Sequence, residues 1–232
     1  MKVLRLSSNI IGSEIILRPY QFCNLTEVVI RSTDTEQDLE RKIAIATILG
    51  TLQATYTKFP YLRQVWQDNT DEERLLGVSL TGIMDNPLTT TANPELPALL
   101  ERLREVSVMV NKEWAGKLGI KQSTAITAVK PSGTVSQLVN SASGIHARHS
   151  EYYIRTVRGA FNDPLTQFMK DQGIPWEPCA HQPDTTVVFS FPQKSPKEAV
   201  LTENTTAIQQ LDTWLAYQRH YCEHKPSVTI NV

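Results

Sequence analysis

Cysteine is scarce in this chain: Cys23, Cys179 and Cys222 are the only three. They form no CxxC pair and no four-ligand zinc spacing, which excludes a disulfide framework and points to a reducing compartment. An excess of one charge is also lacking, since 23 Lys and Arg face 24 Asp and Glu for a net charge of −1. No global field therefore recruits nucleic acid or an anionic membrane, and any phosphate must be held locally. Long hydrophobic runs are missing too. The richest, Ile43 to Leu52, is broken by Thr47 and Gly50 and falls short of the roughly 20 residues that span a bilayer. No apolar signal core follows Lys2 and Arg5. The expected setting is the cytoplasm, with neither nucleic acid nor membrane as partner. With 10 Gly, 13 Pro and 41% apolar residues in 232, collagen-like and disordered classes are excluded. A single body of this length buries roughly 70–75% of its unfolded surface.

What is present is an alternation of apolar-rich β runs with amphipathic helices, without any repeat of 20–50 residues, and this predicts an α/β fold. Strands are expected at Glu14-Ile-Ile-Leu-Arg18, closed by Pro19, and at Thr26 to Arg31. Asp34 with Gln37 reads as a capping box before a long helix ending near Phe59-Pro60. A further amphipathic helix is expected from Asp71 to Asp85. Gly77 and Gly82 inside it cost about 1 kcal/mol each in a helix, which suggests close packing on a neighbouring backbone. Asn93-Pro94 opens another helix that stops at Gly116 or Gly119. Thr124 to Val129 reads as a buried strand, Lys130 to Thr134 as a tight loop and Val135 to Asn140 as the start of a helix. Beyond these, strands are expected at Tyr152 to Arg158, Thr185 to Phe191 and Ser227 to Val232, with helices at Pro164 to Gln172 and Glu203 to Tyr221. An ending inside a strand suggests a fragment.

Strand, small-residue loop and helix together make a phosphate geometry. The loop Pro131-Ser132-Gly133-Thr134 would aim free backbone N–H groups, the positive helix end and two hydroxyls at one spot. An ordinary βα turn with Thr134 as N-cap is the plainer alternative; a Walker A loop is excluded, because GxxxxGK[ST] is absent. Glu14 and Cys23, nine positions apart, could serve acid–base and redox chemistry from neighbouring segments. Their bland alternatives are a solvent-facing carboxylate and a core thiol. His146 and His149 have an HxxH spacing without a third ligand nearby, and Cys222 with His220 and His224 lacks a tetrahedral set. Both groups read as structural, as do Trp66, Trp114, Trp176 and Trp214, whose expected place is the core.

Four segments stand out together: Glu14-Ile-Ile-Leu-Arg-Pro-Tyr-Gln-Phe-Cys-Asn-Leu25, Leu76-Gly-Val-Ser-Leu-Thr-Gly-Ile-Met-Asp85, Lys130-Pro-Ser-Gly-Thr-Val-Ser136 and Ser143-Gly-Ile-His-Ala-Arg-His-Ser-Glu-Tyr-Tyr-Ile-Arg155. In order and spacing they resemble ribonucleotide reductase large subunits. The resemblance is to the class II, adenosylcobalamin-dependent ribonucleoside-triphosphate reductases more than to class I subunits. It implies the C-terminal portion of a ten-stranded α/β barrel, residues 13–232, after an unrelated leader or break region, residues 1–12. The family chemistry is a cysteine thiyl radical that takes the 3′ hydrogen of a ribose, with a glutamate base for the 3′-hydroxyl and two reducing cysteines that end as a disulfide. By this resemblance Glu14 matches the base, Cys23 the second reducing cysteine, and Pro131, Ser132, Gly133 and Thr134 the substrate-phosphate loop. The implied partners are a ribonucleoside triphosphate or diphosphate, a thioredoxin-type reductant and the N-terminal half of the reductase. Adenosylcobalamin is the implied cofactor, most of its site lying outside this chain.

One departure stands out. The family pattern Asn-Pro-Cys-x-Glu would occupy positions 10 to 14, where this chain has Ile10-Ile11-Gly12-Ser13-Glu14. Glycine carries no sulfur, so the chain alone is expected to be inactive. Either it works with a complementing chain, or it is a catalytically dead remnant that only binds nucleotide phosphate or a partner.

Overall fold

The computed structural model describes residues 14–227, 229 and 230 and, of Thr134, the backbone. The departure at Ile10, Gly12 and Ser13 lies outside the described residues. The chain forms two compact units, one running to Arg148 and resuming at Glu198, the other being His149–Lys197.

In the first unit the elements run β1 (Asn24–Val29), α1 (Glu36–Gln53), α2 (Gln64–Glu73), β2 (Leu76–Thr81), α3 (Leu96–Leu118), β3 (Thr127–Ala128) and α4 (Thr134–Leu138). Strands β1, β2 and β3 form a parallel sheet in that order. Parallel neighbours need crossovers, which α1 with α2, and α3, supply. β2 is buried at every residue, as a central parallel strand with both faces covered should be. Its Leu76, Val78 and Leu80 join Leu39 and Ile43 of α1 and Leu99, Leu100 and Leu103 of α3 in the core.

In the second unit β4 (Tyr152–Ala160), α5 (Pro164–Asp171), β5 (Trp176–Pro178) and β6 (Thr186–Lys194) give an antiparallel sheet ordered β4-β6-β5. The chain then returns to the first unit through α6 (Ala207–His220). Tyr217 and Tyr221 at its end enter the core fully buried, and their hydroxyls donate to the carbonyls of Thr89 (2.8 Å) and Val78 (3.0 Å). The segment after α6 runs beside β3. The amides of Glu223 and His224 donate to the Thr127 carbonyl, and that of Ser227 donates to Val129.

The described residues form a mixed α/β fold with two three-stranded sheets, and they do not by themselves show the portion of a ten-stranded barrel that the resemblance implies. Several other sequence expectations are corrected. Glu14 to Arg18 is not a strand. It has no ladder partner and leads through Pro19 to Tyr20, whose φ of 63° is left-handed. The capping box at α1 is Thr35 with Asp38, one residue after the expected pair, and the helix ends at Gln53, well before Phe59-Pro60. The segment 71–85 is no single helix: α2 stops at Arg74 with φ 45°, and β2 follows. A strand buried on both faces shows no alternation, and its apolar run mimics a helix. Close approach at its glycines is nevertheless real, since Gly82 has φ 79° and a Cβ there would lie 2.4 Å from the Ile30 carbonyl oxygen.

The strand expected at 124–129 shrinks to Thr127–Ala128, and α6 begins at Ala207 behind a Thr206/Gln209 capping box. Pro226 makes only an isolated parallel bridge to Val129, so the described part of 227–232 is not a strand. The short β5 was not expected at all.

The region between Thr81 and Arg148 is held by a buried ion pair. Arg148 donates through Nε and Nη2 to the two Asp85 carboxylate oxygens, each at 2.8 Å, with both side chains 3% exposed. Asp85 also accepts the Ala142 amide (2.8 Å), and Arg148 donates to the side-chain and main-chain oxygens of Asn140 (both 2.9 Å). Removing one partner strands a buried charge. Arg148→Met is expected to cost about 3–5 kcal/mol of folding stability, read as a lower urea midpoint with an unchanged slope.

Candidate active site

Side chains alternate across a strand. Thr26 and Val28 of β1 turn toward α1, where a Cβ on Gly50 would touch the Thr26 methyl group at 3.6 Å. Leu25 and Glu27 turn the other way, beside Gly77 and Ser79 of β2 in register, and Cys23 precedes them in the same alternation. Gly77 leaves the room this face needs. A Cβ there would lie 2.4 Å from Leu25 Cδ2, 2.8 Å from Ile15 Cδ1 and 3.7 Å from Cys23 Sγ.

The excursion 14–23 is fixed by α2. Arg18 pairs with Glu72 (2.9 Å) and Glu73 (3.3 Å), Gln21 donates to Glu73 (2.5 Å), and Asn69 Nδ2 donates to the carbonyls of Pro19 (3.0 Å) and Tyr20 (3.2 Å). Glu14 is thereby buried with its Oε2 3.2 Å from Lys130 Nζ, while its carbonyl accepts the Lys225 amide at 3.0 Å. Burial pushes the Cys23 thiol up to about 12, and the positive charge of Lys130 pulls partly against it.

The loop sits at the other end of this face. The Lys130 amide donates to Ser79 Oγ (2.9 Å), and a Cβ on Gly144 (φ 55°) would lie 2.9 Å from the Lys130 carbonyl oxygen. Ser132 is buried and its Oγ donates to Glu27 Oε2 at 2.8 Å. Burial raises the Glu27 carboxyl above the usual carboxylate range, opposed by that hydrogen bond. Pro131 and Gly133 are exposed, Gly133 with φ 50° and nothing within 4 Å of a Cβ position. Thr134 opens α4, and the first amides of a helix have no intrahelical acceptor. The guanidinium of Arg31 donates to the Val139 carbonyl just after α4.

Of the residues singled out in the sequence, Glu14, Cys23 and Ser132 are thus tied to one sheet face through Lys130 and Glu27, two residues that sequence reasoning passed over. The signals were available: Glu27 follows Cys23 by four positions in a period-two strand, and Lys130 adjoins the loop. The remaining candidates are not joined to this face. His146 belongs to the first unit and His149 to the second. His220 pairs with Glu101 (2.8 Å), His224 contacts the Leu76 carbonyl (2.7 Å), and Cys222 is buried. No group of three or more metal-binding side chains occurs among the described residues. The tryptophans depart from expectation, since none is buried; Trp176 is 44% exposed and Trp66 stacks on Phe22 at 4.7 Å.

The resemblance carried by the four motifs is borne out by known proteins. An adenosylcobalamin-dependent ribonucleoside-triphosphate reductase of Euglena gracilis is 29% identical over 217 residues, covering 92% of this chain and 29% of that protein. The enzyme of the same name from Lactobacillus leichmannii is 28% identical over 207 residues, 78% of this chain and 28% of that protein. The chain therefore spans under a third of the length of these relatives. No family model matches it. The crystal structure of a B12-dependent (class II) ribonucleotide reductase superposes with a TM-score of 0.76 at 24% identity, over 92% of this chain and 33% of that one.

Glu27 gives a pH test of the site. An acid whose folded-state pKa is raised favours the folded chain while protonated, and that stability is lost as pH rises past the ordinary carboxylate range. Glu27→Gln keeps an acceptor for Ser132 and removes the charge. Its denaturation midpoint is expected to fall less than that of the unsubstituted chain between pH 5 and pH 8, as followed by urea titration at each pH.

Proposed function

We propose that this chain is the C-terminal portion of the catalytic barrel of a class II ribonucleoside-triphosphate reductase, which makes 2′-deoxyribonucleotides for DNA. The observation that carries the reading is the grouping of Glu14, Cys23 and Ser132 on one sheet face. Cys23, just before β1, and Glu27 on β1 lie four residues apart, about 13 Å along an extended chain, a span suited to a sugar at the Cys23 end and phosphates at the Ser132 end. In this reading Glu14 accepts the proton of the ribose 3′-hydroxyl. Cys23, one of two reducing thiols, gives its proton to the departing 2′-hydroxyl, which leaves as water. A carboxylate base and a thiol acid around one sugar are what such a poor leaving group requires. Ser132 and the backbone of Pro131, Gly133 and Thr134 hold the phosphates.

Adenosylcobalamin, when bound to enzymes of this kind, supplies the radical that starts the reaction. By the resemblance, most of its site is read as lying outside this chain. The roles assigned to Glu14, Cys23 and the loop stand apart from that group. The radical-bearing cysteine and the first reducing cysteine would come from a complementing N-terminal half, which also completes the barrel, and a thioredoxin-type protein would reduce the disulfide.

The residue at position 12 favours a second reading. With Gly12 where the pattern has a cysteine, the chain could be a remnant that binds nucleotide phosphate and nothing more. Mixing the chain with a complementing half that ends in Asn-Pro-Cys, together with adenosylcobalamin, thioredoxin and ribonucleoside triphosphate, separates the two. Deoxynucleotide formation is expected from the mixture and none from the chain alone; a folded pair that binds nucleotide without turnover supports the remnant. In the active pair Glu14→Gln is expected to lower kcat by about 10²–10⁴, and Ser132→Ala to raise KM about tenfold, both read from steady-state product formation.

A further inference from the structure

The roles above leave Lys130 unused, although it pairs with Glu14 and its charge is felt at Cys23. Its ammonium lies 3.2 Å from Glu14 Oε2, with the two side chains 26% and 9% exposed. Its main chain is fixed on Ser79, in register with Glu27 on the Cys23 face. The same ammonium is the charge that acts on the Cys23 thiol. We propose that Lys130 is a positioning residue that couples the two proton transfers: it balances Glu14 while Glu14 is a carboxylate, and once Glu14 is protonated its charge serves Cys23.

The balance closes. Before reaction the three groups are carboxylate, ammonium and thiol. The 3′-hydroxyl proton goes to a Glu14 oxygen, the Cys23 proton goes to the 2′-hydroxyl leaving as water, and Lys130 keeps all its protons. Carboxylic acid, ammonium and thiolate remain, with the same net charge of zero. In a buried site an uncompensated charge is costly, so a fixed cation that exchanges partners lets the proton arrive at one end and depart at the other without a net charge appearing. Of the other charged groups around the site, Glu27 is held by Ser132 and Glu73 by Arg18 and Gln21, while Lys225 adjoins Glu14, to whose carbonyl its backbone amide donates.

This inference rests on the reading of Glu14 as base and Cys23 as acid, but its test needs no turnover. The chain is treated with iodoacetamide between pH 7 and pH 10 and alkylation is followed at each cysteine by mass spectrometry. Glu14→Gln stands in for the protonated acid. It is expected to raise the Cys23 rate at pH 9 about tenfold, one unit of thiol pKa. In a Lys130→Met background the same substitution should give no gain, and in a Lys130→Arg background the gain should return. Buried Cys222 reports folding. If Lys130→Met exposes it, Lys130→Gln takes its place. An unchanged Cys23 rate in Glu14→Gln, or an equal gain without the lysine, overturns the coupling. Coupling that holds in a chain that binds no ribonucleoside triphosphate would overturn the functional reading instead, so the two fail separately.

Discussion

The contact between the Lys130 ammonium and the Glu14 carboxylate joins residues 116 positions apart, and the geometry of the site depends on it. An ion pair with one partner almost fully buried stands only when both backbones are held independently, because neither side chain recovers its desolvation otherwise. Here they are. The glutamate is carried by an excursion clamped to α2, and the lysine is pinned by its own amide to Ser79 on the central strand. With those supports in place, the thiol at 23 and the loop at 131–134 follow from strand alternation and from a four-residue step of chain.

Legibility in the sequence tracked the range of the interaction involved. Helices α3 and α5 were visible from apolar periodicity and local start and stop residues, and β4 and β6 from alternating apolar runs. The segment 71–85 was misread because a strand covered on both faces has no polar side to show, and Gly77 looks like a helix defect until Leu25 and Ile15 are seen against it. The excursion at 14–18 was misread for a related reason: Ile15, Ile16 and Leu17 have strand composition, yet the hydrogen bonds that set their path come from side chains some 50 residues away on α2. Glu14, Cys23 and the loop stand out as candidates through motif spacing; Glu27 and Lys130 carry only the weak signals of strand alternation and of adjacency to the loop, and their partners emerge when distant segments meet.

The parallel sheet is also completed from a distance. β3 has only two residues, and a strand so short would hold its place poorly. The chain after α6 supplies the missing support, with Glu223 accepting the Ile126 amide (2.8 Å), His224 on the Leu76 carbonyl and Ser227 on Val129. The same segment gives Lys225, whose amide caps the Glu14 carbonyl. The last helix is therefore tied to the face that carries Glu14 and Cys23 through backbone bonds, and its two buried tyrosines fix where that tail can run.

The bridge between Arg148 and Leu201 has a consequence for how such a chain can change over generations. It brings the points where the chain departs from the first unit and rejoins it side by side, through the Arg148 amide on Val200 and the Thr202 amide on Arg148. Whatever lies between them hangs from a closed stem. Insertions, deletions or wholesale replacement of His149–Lys197 can accumulate there while the register of β1, β2 and β3 is inherited unaltered.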